Sequence, residues 1–234
     1  MNQIEQTDIL IIGAGPSGAV AAGLLRKQGR QVIVIEKESF PRFSIGESLL
    51  PQSMQNIEEA GMLQDVVEAG FQYKNGAAFA KGALATDFDF RDKFSPGWGT
   101  TYQVPRGRFD KVLADAAHKA GAEIRYRQVV TAVDVAGDRP RVQVRGEDGV
   151  DYSISARYLL DASGFARVLP RLLNLERPSD FPVRAALFTH IEDRIALGDM
   201  DRQKILINVH PEQHDVWFWT IPFADGRRSQ GVVA

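Results

Sequence analysis

The chain has 234 residues, 44% hydrophobic and 25% charged, with 28 Lys and Arg against 30 Asp and Glu. That near-neutral balance argues against the basic surface that nucleic-acid binding or a polybasic membrane anchor needs, and no run approaches the roughly 18 apolar residues of a bilayer span. With no cysteine there are no disulfides and no thiolate metal sites, and a reducing cytoplasm is the expected compartment.

From Asp8 through Ile12 the chain reads as a buried strand, followed by the turn GAGPSG and an apolar-rich helix from Ala19 to Lys27. Gly29 stops the helix, and QVIVIEK forms a second buried strand ending at Glu36, which completes a βαβ unit. Residues 39–50 read as a loop. Pro51 then opens a helical stretch broken around Gly61. Between Lys74 and Gln103, short alternating runs separated by Gly and Pro predict antiparallel strands. A helix over Arg108–Gly121 leads into further strands, with Glu147, Asp148 and Gly149 supplying a hairpin turn. After Gly164 a helix-and-loop connector reaches Pro182, and three more strands follow. The closing run GRRSQGVVA alternates as a strand does, so the chain is expected to be part of a longer protein.

Gly13, Gly15 and Gly18 form G-x-G-x-x-G between a strand and a helix, where each glycine has a physical task. Gly13 permits the tight turn, Gly15 lets backbone approach a pyrophosphate, and Gly18 lets helix and sheet pack closely while the helix amino terminus faces the anion. Glu36, at the end of the second strand, is placed to accept hydrogen bonds from a ribose diol. A nicotinamide-binding Rossmann domain would keep alternating strand and helix after that acid; this chain instead enters a loop, a helix and an antiparallel excursion.

That pattern resembles FAD proteins of the glutathione-reductase-like superfamily. GAGPSG and Glu36 carry the likeness, with VPRGRFDKVLADAA (Val104, Arg106, Phe109, Asp110) and LLDASG (Asp161, Gly164). Further segments are similar to flavin-dependent halogenases: WFWTIP, with Trp217, Trp219, Ile221 and Pro222 in a WxWxIP pattern; Lys74 in GFQYKNGAAF; and RFSIGESLLP from Arg42 to Pro51. The resemblance implies an α/β fold, with a three-layer, mostly parallel Rossmann-like FAD-binding domain (1–73 and 104–182, lacking its carboxy-terminal segment). This is interleaved with an incomplete antiparallel substrate-side sheet (74–103 and 183–234).

The implied FAD contacts include Pro16 and Ser17 in the turn, Lys37 after the acid, Arg42, Ser48 and Leu49 in the loop, Arg106 near the flavin, Val130, and Asp161 with Gly164. The implied activity is that of an FAD-dependent oxidoreductase. It takes reduced flavin from a separate reductase and uses oxygen and halide to modify an electron-rich aromatic substrate, free or carrier-bound. Lys74 is the implied catalytic residue, polarising hypohalous acid or forming a haloamine, with burial lowering its pKa. The Trp pair would stand between flavin and substrate compartments.

Read without the resemblance, Lys74 is equally a solvated loop lysine, Arg106 an ion-paired arginine, DASG a loop after a strand, and the Trp pair a core face. An FAD monooxygenase or a geranylgeranyl-reductase-like enzyme shares Gly13, Glu36, Arg106 and Asp161 without needing Lys74 or the tryptophans; a catalytically incomplete flavin-binding fragment is the third alternative. His210 and His214 flank Pro211 in a turn and predict no metal site. Asp87 and Asp89 alternate with Phe88 and Phe90 as in a half-buried strand.

Overall fold

A computed structural model describes residues 4–196 and 198–234. In chain order its elements are β1 (Glu5–Ile12), α1 (Pro16–Lys27), β2 (Val32–Ile35), α2 (Pro51–Glu59), α3 (Leu63–Glu68), β3 (Gln72–Lys74), β4 (Gly76–Lys81), β5 (Leu84–Asp89) and β6 (Thr101–Gln103). There follow α4 (Arg106–Lys119), β7 (Glu123–Arg125), β8 (Val129–Asp134), β9 (Arg141–Arg145), β10 (Asp151–Asp161), α5 (Val168–Leu172), β11 (Ala186–Glu192), β12 (Lys204–Val209), β13 (Trp217–Pro222) and β14 (Arg227–Val233). None of the helices among the described residues is long and apolar enough to cross a membrane.

Two units form. The first comprises Met1–Phe43, Ile57–Val66 and Gly107–Ser179. Its sheet runs β7-β2-β1-β10-β9-β8, with β7, β2, β1 and β10 parallel and β9 and β8 antiparallel. Leu10, Ile33, Ile35, Val142, Ile154 and Ala156 are among the buried residues of its core, which is why β2 reads as an unbroken apolar run. Gly61, in the left-handed region at φ +79°, separates α2 from α3. The hairpin joining β9 to β10 closes through Gly146 N–H to the Val150 carbonyl, with Gly149 at φ +79°. Helix α4 begins at Arg106, two residues before the predicted start.

The second unit comprises Ser44–Asn56, Val67–Arg106 and Asp180–Ala234. Its larger sheet runs β11-β14-β13-β12-β4-β5; the pairs are antiparallel except β12 with β4, which run parallel from Lys204 opposite Gly76. A smaller sheet pairs β3 with β6. The division departs from the predicted boundaries: 44–56, 67–73, 104–106 and 180–182 lie in this unit, not with the fingerprint. Backbone pairing accounts for the loop and for the segments at 72–74 and 104: Ser48 bridges Gln103, Leu49 N–H donates to the Tyr102 carbonyl, Val104 N–H donates to the Glu47 carbonyl, and β3 pairs with β6. The loop is thereby tied to the small sheet.

Candidate functional site

In the first unit the fingerprint is a backbone cradle. Gly13 adopts φ +98°, and a Cβ there would lie 2.6 Å from the Ala162 carbonyl oxygen; a Cβ on Gly18 would lie 1.9 Å from the Gly13 carbonyl oxygen. The DASG segment therefore sits directly against the turn. Gly15 is the N-cap of α1, Pro16 follows at the first helical position, and no side chain caps the end. Ser17 is exposed. Into this cradle reaches Arg42, whose Nη2 would be 3.4 Å from a Cβ on Gly15. Its guanidinium is also held by Asp110 (Nη1 to Oδ2, 3.4 Å) and lies over the Phe40 ring at 4.8 Å. A cation beside an uncapped helix amino terminus is a site for a phosphate-bearing ligand. The glycines leave room for one, so the residues fit a dinucleotide.

Glu36 is buried at 3% exposure, with Oε2 accepting from Ala14 N–H at 2.8 Å and Oε1 from Glu38 N–H at 3.0 Å. These bonds fix the carboxylate at the end of β2 and leave lone pairs for a diol. Lys37 is exposed and paired with Glu38. Val130 lies opposite Val144 on β8 with its side chain against the core, two residues beyond Gln128, whose N–H donates to the Glu36 carbonyl. Asp161 accepts from Ser163 and Leu169 N–H groups, so its carboxylate closes its own loop, and Gly164 takes φ +59° within it.

The second unit gathers the remaining predicted residues around the loop 45–49. Arg106 Nη1 donates to the Ile45 carbonyl at 2.5 Å and the Gly46 carbonyl at 3.3 Å. Lys74, at the end of β3 and 2% exposed, donates from Nζ to the Leu49 carbonyl at 2.8 Å and lies 5.1 Å from the Phe90 ring centroid. Burial lowers its pKa from 10.5 to about 8. Phe90 also lines a cleft of about 340 Å³, together with Gln52, Gln55, Phe88, Lys93 and Trp98.

On β13, Trp217 and Trp219 share one face with ring centroids 6.0 Å apart. Trp219 is buried, donating from Nε1 to Ser229 Oγ at 3.0 Å and packing against Phe188, and Ile45 joins the same cluster as Trp219 and Ile221. The motif thus forms a wall behind the loop. Strand alternation sends Pro222 to the opposite face from Trp217, Trp219 and Ile221. The two histidines are engaged separately: His210 Nδ1 accepts turn N–H groups from Glu212 and Gln213, and His214 Nε2 lies 2.8 Å from Lys81 Nζ. Asp87 pairs with Lys204 and Asp89 with Arg91.

Several members of the site were not singled out from sequence as site residues. Asp110, quoted only within a signature, is the buried partner of Arg42. Glu47 is nearly fully buried and meets His190 Nε2 at 2.5 Å; Thr101 and Gln103 are buried on the face that carries Lys74. The GES and VPRGRFD segments hold signals for Glu47 and Asp110, whereas nothing local marks His190.

Residues 6–233 match the FAD binding domain family, and the chain belongs to it. It is 30% identical to a 1H-pyrrole-2-carbonyl-(peptidyl-carrier protein) brominase of Pseudoalteromonas luteoviolacea, over 100% of this chain and 56% of that protein. Among solved structures, a flavoprotein/dehydrogenase from Cytophaga hutchinsonii is 45% identical with a TM-score of 0.93, covering 98% of this chain and 56% of that one. A myxobacterial chondrochloren halogenase is 31% identical with a TM-score of 0.84, covering 98% and 53%. The chain spans about half the length of these relatives.

Proposed function

We propose that the chain is the FAD-holding part of a flavin-dependent, halogenase-like oxidoreductase that halogenates an electron-rich aromatic substrate, free or bound to a carrier protein. The observation that carries this reading is Lys74: a buried amine, poised by burial between its two protonation states, behind an aromatic ring that lines a cleft. The fingerprint glycines and Arg42 would hold the FAD pyrophosphate and Glu36 its ribose. The first unit is the FAD-binding domain and the second the substrate-side domain. When bound and reduced, FAD would supply two electrons to dioxygen, which would take two more from a halide ion and so oxidise it. Lys74 then hydrogen-bonds and orients the oxidised halogen species, giving or taking a proton at Nζ, while the Leu49 carbonyl fixes the direction of the amine. Phe88, Phe90 and Trp98 offer apolar faces for the aromatic acceptor. The brominase relative, named for a pyrrole carried on a protein, supports a carrier-bound aromatic. The partner reductase and the cytoplasmic setting belong to the same proposal.

The test loads the chain with FAD and adds NADPH without oxygen. Flavin that stays oxidised until a separate reductase is supplied is the expected outcome; direct bleaching would favour the monooxygenase or reductase reading. Reduced flavin, oxygen and bromide are then supplied with a phenol or pyrrole, and brominated product is read by mass spectrometry. Lys74→Ala should abolish bromination while FAD affinity is retained. Equal product from the variant would remove Lys74 from the chemistry.

A further inference from the structure

The face of the small sheet that carries Lys74 holds more hydrogen-bonding capacity than the protein itself satisfies. Lys74 is opposite Thr101 and Gln72 opposite Gln103 across β3 and β6, and Ser48 is bridged to Gln103. Directly opposed residues of an antiparallel pair project to the same side. Lys74, Thr101, Gln103 and Ser48 therefore share one face. Thr101 is 1% and Gln103 0% exposed, while Tyr73 on the other face is 37% exposed.

On that buried face Ser48 Oγ, Thr101 Oγ1 and Gln103 Oε1 have no hydrogen-bond partner among the described residues. The orientation of the Gln103 amide is fixed, because Nε2 donates to the Arg202 carbonyl at 3.2 Å; the atom left over is an acceptor. Buried polar atoms without partners are costly, and ordered water is the usual remedy where two or more such atoms converge. The set is also chemically directional. An ammonium has three protons, of which Lys74 places one on Leu49, so the rest are available to donate. Gln103 Oε1 can only accept, and each hydroxyl can do both. Ser48 is half-buried, whereas Thr101 and Gln103 are buried; its Oγ is itself covered, but this end of the row lies nearest solvent.

We propose that Ser48, Thr101 and Gln103 hold ordered water that carries protons between the Lys74 ammonium and solvent, with Ser48 at the outlet. Its use rests on the reading of Lys74 as the catalytic amine, which must lose and regain a proton while buried. In the outward step an N–H bond of the ammonium breaks, its electron pair stays on nitrogen, and an O–H bond forms on the adjacent water. That water passes one of its own protons through the hydroxyls to bulk solvent, leaving Lys74 neutral. No oxidant or reductant takes part.

The experiment labels the lysines of this chain with ¹⁵N and measures by NMR how fast the Lys74 ammonium protons exchange with solvent, the resonance being assigned by its loss in Lys74→Arg. Thr101→Val, which keeps the shape and removes the hydroxyl, should slow exchange by about tenfold, the factor that one lost hydrogen bond is worth. Thr101→Ser should restore it. Exchange in Thr101→Val as fast as in the wild type would overturn the relay. If Thr101→Val does not fold, Ser48→Ala at the outlet is read in the same way, and unchanged exchange there would overturn it equally. The measurement uses no FAD, oxygen or halide, so its failure leaves the halogenase reading standing, and failure of bromination leaves the relay standing.

Discussion

His190 and Glu47 meet at 2.5 Å although 143 residues separate them in the chain. The carboxylate side chain is 1% exposed, and the imidazole lies edge-on to Phe223 with centroids 5.2 Å apart. Strand β11 thereby holds the middle of the loop that presents its carbonyls to Arg106 and Lys74. Replacing His190 by Ala deprives a buried carboxylate of this partner, and about 3 kcal/mol of stability should be lost. His190→Gln can still donate and should lose less than half as much. Urea denaturation of the three proteins decides; equal losses would mean that packing on Phe223, not the hydrogen bond, is what matters.

Lys74 should make stability rise with alkaline pH. Its pKa is lowered on folding from 10.5 to about 8, so between those values the unfolded chain binds more protons than the folded one. Stability therefore increases as pH climbs through that window. Below pH 8 both states are protonated and the full burial cost is present; above 10.5 it is gone. The increment is on the order of 3 kcal/mol, from about 1.4 kcal/mol per pH unit. Lys74→Met should flatten this part of the profile, measured as the difference between the two proteins by urea titration from pH 7 to 10.5. Parallel profiles would contradict the depressed pKa.

Two glycines of the fingerprint should fail differently. A Cβ on Gly18 would meet the Gly13 carbonyl oxygen at 1.9 Å, against backbone that cannot yield, so Gly18→Ala should prevent folding. Gly15 sits at φ −63°, which alanine adopts freely, and its Cβ would approach only the end of Arg42 at 3.4 Å. Gly15→Ala should melt within a few degrees of the wild type and yet lose about tenfold or more in FAD affinity, because the methyl group occupies the cradle. Thermal melts and FAD titration by flavin fluorescence separate the two effects.

Gly231 is required by an indole. A Cβ there would lie 2.2 Å from Trp219 Cζ2, so Gly231→Ala must displace the ring from Ser229. The expected cost is about 1–3 kcal/mol, accompanied by loss of near-ultraviolet circular dichroism. A spectrum identical to the wild type would show that the strand shifts instead of the ring.

The parts of this molecule that were legible in its sequence are those whose signal is local. Gly13, Gly15 and Gly18 are spaced by the needs of one turn, β2 is apolar because both its faces are covered, and Gly61 and Gly149 mark chain reversals that occur where they stand. Less was legible where partners come from afar. The parallel pairing of β12 with β4 joins Lys204 to Gly76, and no periodicity in either segment announces it. The loop 44–50 reads as a continuation of the nucleotide unit because it follows β2, but its backbone bonds commit it to β6. Lys74 is the sharpest case. Its neighbours Tyr73 and Asn75 do not distinguish a solvated lysine from a buried one; only the pairing with Thr101 and the reach to Leu49 decide it.

The loop 45–49 meets Arg106 Nη1 and Lys74 Nζ with peptide carbonyls. Every amino acid carries that group, so the hold on Lys74 is indifferent to which side chain occupies position 49, provided the loop keeps its path; Gly46, at φ +98° and with Arg106 Nη1 3.0 Å from where a Cβ would stand, is not free in the same way. Evolutionary drift at Leu49 would leave Lys74 bonded as before, whereas inserting or deleting one residue would move all three carbonyls at once. For Lys74, then, the length of the loop matters more than the residue that stands at position 49.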